Sequence, residues 1–153
     1  MAVNFVPILH IVAAILAVIE LGLTAYWASL FHGYWTPSSV NFMLFNSVWS
    51  LVVLLYIGLT PLYMTSIFHR TAALALNIVT TIFWFAGSIA VAVWFGGPYD
   101  CHGDRACSDA EATIAFGFFL WASFAFLTAI DGLESLRRRG HNVSKSTNAY
   151  PTA

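Results

Sequence analysis

The sequence predicts an all-α fold, an integral membrane four-helix bundle running up-down-up-down with both termini on the cytoplasmic side. Three observations predict it. Charged residues make up 8% of the 153-residue chain and hydrophobic ones 59%, whereas a soluble domain carries ~25% charge. The run from 71 to 99, TAALALNIVTTIFWFAGSIAVAVWFGGPY, contains no Asp, Glu, Lys, Arg or His. About 20 residues of helix cross a ~30 Å hydrocarbon core, and a helix in water would keep a polar face. The basic residues are also lopsided. Arg70, Arg137, Arg138, Arg139 and Lys145 fall on the side shared by the termini and the middle loop, and Arg105 alone falls on the other. The positive-inside rule makes the first side cytoplasmic.

The first span is expected at about 5–31, with Glu20 inside it. The turn HGYWTPSS follows, where Pro37 among Thr36, Ser38 and Ser39 resets the chain for a second span at about 40–59. Thr60-Pro61 is expected to close that span, and Gly96-Gly97-Pro98 to close a third at about 72–96. A polar outer loop, YDCHGDRACSD, leads to a fourth span at about 110–136. These spans form one domain, 1–136, and the polar segment 137–153 reads as a disordered cytoplasmic tail. Tyr26, Trp27, Tyr34, Trp35, Trp94 and Tyr99 map to the outer interface, and Tyr56 and Tyr63 to the inner one, as aromatic belts require. No Lys or Arg precedes Arg70, so the first span is expected to stay as an uncleaved anchor. No lipidation motif is evident.

A formal net charge of −1 gives no sign of nucleic-acid binding. The two cysteines, Cys101 and Cys107, exclude a cysteine-rich scaffold or a four-cysteine zinc site. Both lie in the oxidising outer loop, where a disulfide would clip the loop for about 2 kcal/mol. Five residues separate them and there is no second pair, unlike the Cys-x-x-Cys relays of thiol oxidoreductases. The histidines, His10, His32, His69, His102 and His141, provide no facing pair for haem. Asp100, His102 and Asp104 are too commonplace a group to indicate a metal. No catalytic, cofactor or metal residues are therefore assigned.

Glu20 is the costliest residue, since an acid within a span suggests function by default. Counting inward along the spans places it near Ser50, Ser88 and the ring of Trp121. It reads as a buried polar clasp between helices, with a lipid or ligand contact and a proton-coupled transport site as alternatives. Asp131 and Glu134 read as a solvated helix end, Glu134 pairing with Arg137 and Arg138. Trp49, Trp84 and Trp121 lie too deep for a belt and need acceptors, for which Thr80, Thr81, Asn46 and Asn77 are candidates. Small residues line up as Ala122, Ala125, Ala129 and Gly132 on the fourth span and Ala86, Gly87 and Ala90 on the third. Such stripes serve close helix packing, within one chain or in a homo-oligomer. Arg137, Arg138, Arg139 and Lys145 give orientation and offer a contact for anionic lipid. The sequon Asn142-Val143-Ser144 would face the cytosol and stay unmodified.

The chain resembles the MARVEL-domain tetraspan proteins, and most closely their fungal branch, related to yeast proteins of non-classical export and eisosome organisation. PSSVNFMLFNSVW at 37–49, IFWFAGSIAVAVW at 82–94 and SDAEATIAFGFF after Cys107 carry the likeness. It extends over nearly the whole chain except the tail. One departure is Ser39, where that branch often carries a basic residue. The resemblance implies a non-enzymatic organiser of plasma-membrane domains or vesicle membranes. It also implies contact with sterol- or sphingolipid-rich bilayers and with other membrane proteins. The competing reading is a small proton-coupled exporter using Glu20, because small multidrug transporters also have four spans and a lone Glu in the first. Those transporters have minimal loops and weak charge bias, unlike the five-to-one bias and cysteine-bearing loop here.

Overall fold

A computed structural model of the chain describes residues 5–31, 35–63, 69–96 and 102–147, with side chains as far as Arg137 except at 61 and 62. Four helices account for almost all of this: α1 (Phe5–Leu30), α2 (Ser38–Tyr63), α3 (Arg70–Phe95) and α4 (Arg105–Thr147). Each contains a window long and apolar enough to cross a bilayer. Short connections force chain neighbours to run antiparallel. α1 packs on α2 and α4, and α3 packs on the same two, so the helices form a closed ring of four. The outer surface is apolar: Ile11 is 61% exposed, Val52 57%, Ile82 58% and Phe126 57%. A girdle of that kind fits lipid, not water.

Local chemistry sets the helix ends, and some differ from expectation. Asp104 caps α4, its Oδ1 accepting the Ala106 N–H at 3.1 Å, so the fourth helix begins at Arg105 and not near 110. The Pro37 carbonyl receives the N–H groups of Val40 and Asn41 and starts α2 at Ser38. That helix passes Thr60-Pro61 and ends at Tyr63. Losing one N–H in the final turn does not stop a helix that has no longer ladder to complete. Gly96 closes α3 in the left-handed region, φ 84°, and its N–H bonds the carbonyls of Ala92 and Val93. At the far end, α4 runs on to Thr147. The segment 137–147, expected to be disordered, is therefore helical. Leu133 to Arg139 are strong helix formers apart from Ser135, and the first proline beyond them is Pro151.

Two apolar clusters fill the interior. The larger joins Ala13 and Ala17 of α1 to Met43, Leu54, Trp84, Val91, Leu120, Phe124 and Leu127. The smaller, at the Gly96 end, groups Trp27, Val40 and Ala110 with Phe31 and Phe95 packed against them. Trp27 and Trp94 meet edge to face there, 5.5 Å between ring centres. Gly87 and Gly117 face neighbouring side chains with no room for a Cβ. A Cβ on Gly87 would stand 2.7 Å from Met43 Sδ and 2.9 Å from Asn46 Nδ2, and one on Gly117 would collide with the Ser88 hydroxyl. Gly117→Ala is expected to destabilise the bundle by about 1–3 kcal/mol in thermal unfolding in detergent. Gly22→Ala, which faces open space, should be neutral or gain up to about 1 kcal/mol.

Candidate intramembrane polar site

The polar side chains of the spans turn inward. α3 takes part in the side-chain hydrogen bonds to both of its neighbours. Toward α4, Asn77 donates to Asp131 at 3.1 Å, and Thr81 and Thr128 share a bond of 3.3 Å. Arg70 forms a 2.8 Å salt bridge with Glu134 at the same end. Asp131 and Glu134 thus tie α4 to α3, where the sequence suggested a solvated helix end. Toward α2, Trp84 donates to Ser50 at 2.7 Å and Trp49 to Thr80 at 3.0 Å, and Asn46 donates to the Phe83 carbonyl at 3.0 Å.

Glu20 lies apart from this ladder. α1 buries Ala13, Ala17, Glu20, Thr24 and Trp27, three or four residues apart on one face. Ala13 and Ala17 belong to the larger apolar cluster and Trp27 to the smaller, so Glu20 and Thr24 occupy the gap. α4 repeats the pattern, with Thr113 and Gly117 between Ala110 and Leu120. The Trp27 indole donates to the Ala106 carbonyl at 3.2 Å, which fixes the antiparallel register of the two helices. Two turns inward from those residues are Glu20 and Thr113, level with each other. Glu20 is 0% exposed, and neither carboxyl oxygen has a hydrogen-bond partner among the described residues. The hydroxyls of Thr113 and Ser88 are likewise buried and unbonded there. The Thr24 hydroxyl instead bonds the carbonyl of Glu20 itself, 2.8 Å away. Asp109, one turn outward from Thr113, is half-buried, with one carboxyl oxygen buried and without a hydrogen-bond partner among the described residues.

Of the residues expected around Glu20, Ser88 is buried at the α3–α4 contact, against Gly117. Ser50 is taken by Trp84. Trp121 is half-buried and packs on Phe85, 5.4 Å between ring centres. Thr113 lies within the span expected at 110–136 but was not matched to Glu20, because counting from the span ends set Trp121 level with it; the Trp27–Ala106 bond sets the actual offset. The small-residue stripes also differ from a simple seam within the chain. Gly87 is buried, but Ala86, Ala90, Ala122 and Ala129 are exposed, and Ala125 and Gly132 are half-buried. Arg137 is exposed on α4, ten residues before the end of that helix. Cys107 is not a free thiol. Cys101 lies outside the described residues, as do the side chains of Arg138, Arg139 and Lys145. Among the described residues no cluster of three or more His, Cys, Asp or Glu is placed to hold a metal.

Four apolar antiparallel helices with a hydrogen-bonded interior define a tetraspan integral membrane protein. The MARVEL family model, described as a membrane-associating domain, matches residues 4–130. The chain belongs to that family, as the resemblance in its sequence implied. No curated protein and no solved structure matches it.

The Trp84–Ser50 bond gives a direct test of the interior. Ser50→Ala leaves a buried indole N–H without its acceptor and should cost about 1–3 kcal/mol of stability in detergent. In a Trp84→Phe background the same change should cost less, with a coupling on the order of 1 kcal/mol.

Proposed function

We propose that this protein is a non-enzymatic organiser of membrane domains, acting through lipid and helix–helix contacts at the plasma membrane or in secretory-vesicle membranes. The observation that carries this reading is the outward display of apolar and small residues around an inward-facing polar ladder. Ala86, Ala90, Ala122 and Ala129 face away from the bundle, as helix-packing positions for a second copy or another membrane protein would. The rest of the girdle suits acyl chains, and the family resemblance favours sterol- or sphingolipid-rich bilayers. The fungal affinity rests on the segments at 37–49 and 82–94 and the stretch after Cys107.

In this reading the termini and the 64–69 connection are cytoplasmic, on the charge distribution. Arg137, Arg138, Arg139 and Lys145 then meet anionic lipid, and the domain covers 1–136. The Cys107 partner is assigned to Cys101, the one other cysteine in the chain, as a clip on the outer loop. The second reading, a small proton-coupled exporter, is favoured by one observation, the Glu20 carboxyl, buried and without a hydrogen-bond partner among the described residues. Flux driven by a proton gradient and abolished by Glu20→Gln would establish it over the first.

Native mass spectrometry from lipid particles should report an oligomer with retained lipid. A bare monomer would refute the organiser reading. Replacing Arg137, Arg138 and Arg139 with Gln should weaken anionic-lipid retention by about fivefold per residue, since each contributes ~1 kcal/mol. Protease added outside intact cells should leave the arginine-rich end untouched, and Asn142 should carry no sugar. Cleavage or glycosylation there would invert the orientation.

A further inference from the structure

We propose that a depression at the Gly96 end of the bundle is a binding site for the quaternary ammonium headgroup of a choline lipid. Trp27, Phe31 and Trp94 would wall the trimethylammonium group, and Asp104 would face its charge. The proposal rests on the lipid-contact reading above and names one headgroup for it. In the orientation proposed there, that lipid belongs to the exoplasmic leaflet.

The depression has a volume of 370 Å³ and lies among the end of α1, the end of α3 and the start of α4. Pockets for small molecules begin near ~300 Å³. Trp27, Phe31 and Trp94 all line it. Their ring centres form a triangle with sides of 5.5, 6.1 and 6.2 Å, and their planes are inclined to one another by 67° to 79°. Rings so inclined form a corner and not a stack. Trp27 is held firmly, 5% exposed and with its indole N–H committed to the Ala106 carbonyl. Trp94 is 49% exposed, on the open side of the corner. An aromatic face attracts a cation within ~6 Å, and several faces around one space recognise quaternary ammonium groups. A tryptophan that only anchors a span needs no such neighbours, whereas these rings meet around a shared cavity.

The charge around the corner favours a cation. Among the described residues, Asp104 is the charged one on the wall of the depression. It is exposed, and the bond from the Ala106 N–H to its Oδ1 holds the carboxylate in place. Arg105, next along α4, is exposed and does not line the depression. α1 and α3 both end here, and neither has a basic residue in its last turn. The negative poles of two helix dipoles therefore reach the depression without a basic side chain on either helix to offset them. The positive pole of α4 is met by the Asp104 cap. A primary ammonium carries three N–H donors and seeks an acceptor for each, where this wall offers one carboxylate among mainly apolar side chains. A trimethylammonium carries no donor, so ring faces and one negative charge satisfy it.

The test is native mass spectrometry of the full chain released from nanodiscs of phosphatidylcholine and phosphatidylethanolamine in equal amounts. With identical acyl chains, the two lipids differ only in the methyl groups on nitrogen. The wild type should retain phosphatidylcholine about tenfold over phosphatidylethanolamine. Asp104→Asn removes the charge and keeps an N-cap of equal quality, and the preference should fall to about threefold. Trp94→Leu keeps apolar bulk at an exposed position and removes the ring, with a similar fall, and Trp94→Phe should restore most of the preference. If Trp94→Leu does not fold, Asp104→Asn decides alone. Equal retention of the two lipids by the wild type overturns the proposal, as does a preference for phosphatidylethanolamine or one for phosphatidylcholine that either variant leaves unchanged. In each of those cases lipid is still retained, and the organiser reading stands. A bare monomer overturns both.

Discussion

Hydrocarbon offers no hydrogen bonds, so every polar group taken into the bilayer must find its partner inside the protein. That constraint organises this bundle. α3 begins at Arg70 and then carries no charge to its end at Phe95, yet it is the helix most engaged in side-chain hydrogen bonding. Asn77, Thr81 and Arg70 hold α4, while Thr80 and Trp84 hold α2. Each bond is modest, since interhelical hydrogen bonds in membranes average about 0.6 kcal/mol. Their larger effect is on register. An α3 rotated by one residue would present Asn77 and Thr81 to lipid, where neither could be satisfied.

The same constraint explains how much of the architecture was readable in advance. Four spans follow from charge depletion and length, because hydrocarbon admits few alternatives to a continuous helix. The helix ends were less legible. Pro61 looked like a terminator but sits within the last turn of α2. Asp104 looked like loop charge but is the cap that starts α4. Both depend on single hydrogen bonds that composition averages away. Side-chain direction was harder still. Ala122 and Ala129 keep helical spacing, yet spacing alone does not say which face turns inward. Gly117 escaped notice because its role depends on Ser88, twenty-nine residues earlier in the chain and across a helix interface.

Glu20 was conspicuous from sequence, but its surroundings were not. The expected neighbours Ser50 and Trp121 came from counting along idealised spans. The indole of Trp27, bonded to Ala106, sets the actual offset between α1 and α4 and brings Thr113 level with Glu20 instead. A side chain at the membrane edge thereby determines which residues share a layer two turns below it. The glycines make room in a different way. Without side chains, Gly87 accommodates Met43 and Asn46 of α2, and Gly117 accommodates the Ser88 hydroxyl of α3.

The uninterrupted course of α4 changes what the end of the chain offers the cytosol in the orientation proposed. At 43 residues it is ~65 Å long, about twice the thickness of the hydrocarbon it crosses. The excess forms a stiff post. Ser144, Ser146 and Thr147 fall in its final turn, where the helix already presents the negative pole of its dipole. Phosphate on any of them would oppose that pole and unwind the post from its tip. A modification of a few atoms would thus shorten the reach of the molecule by whole turns, without touching the part held in the membrane.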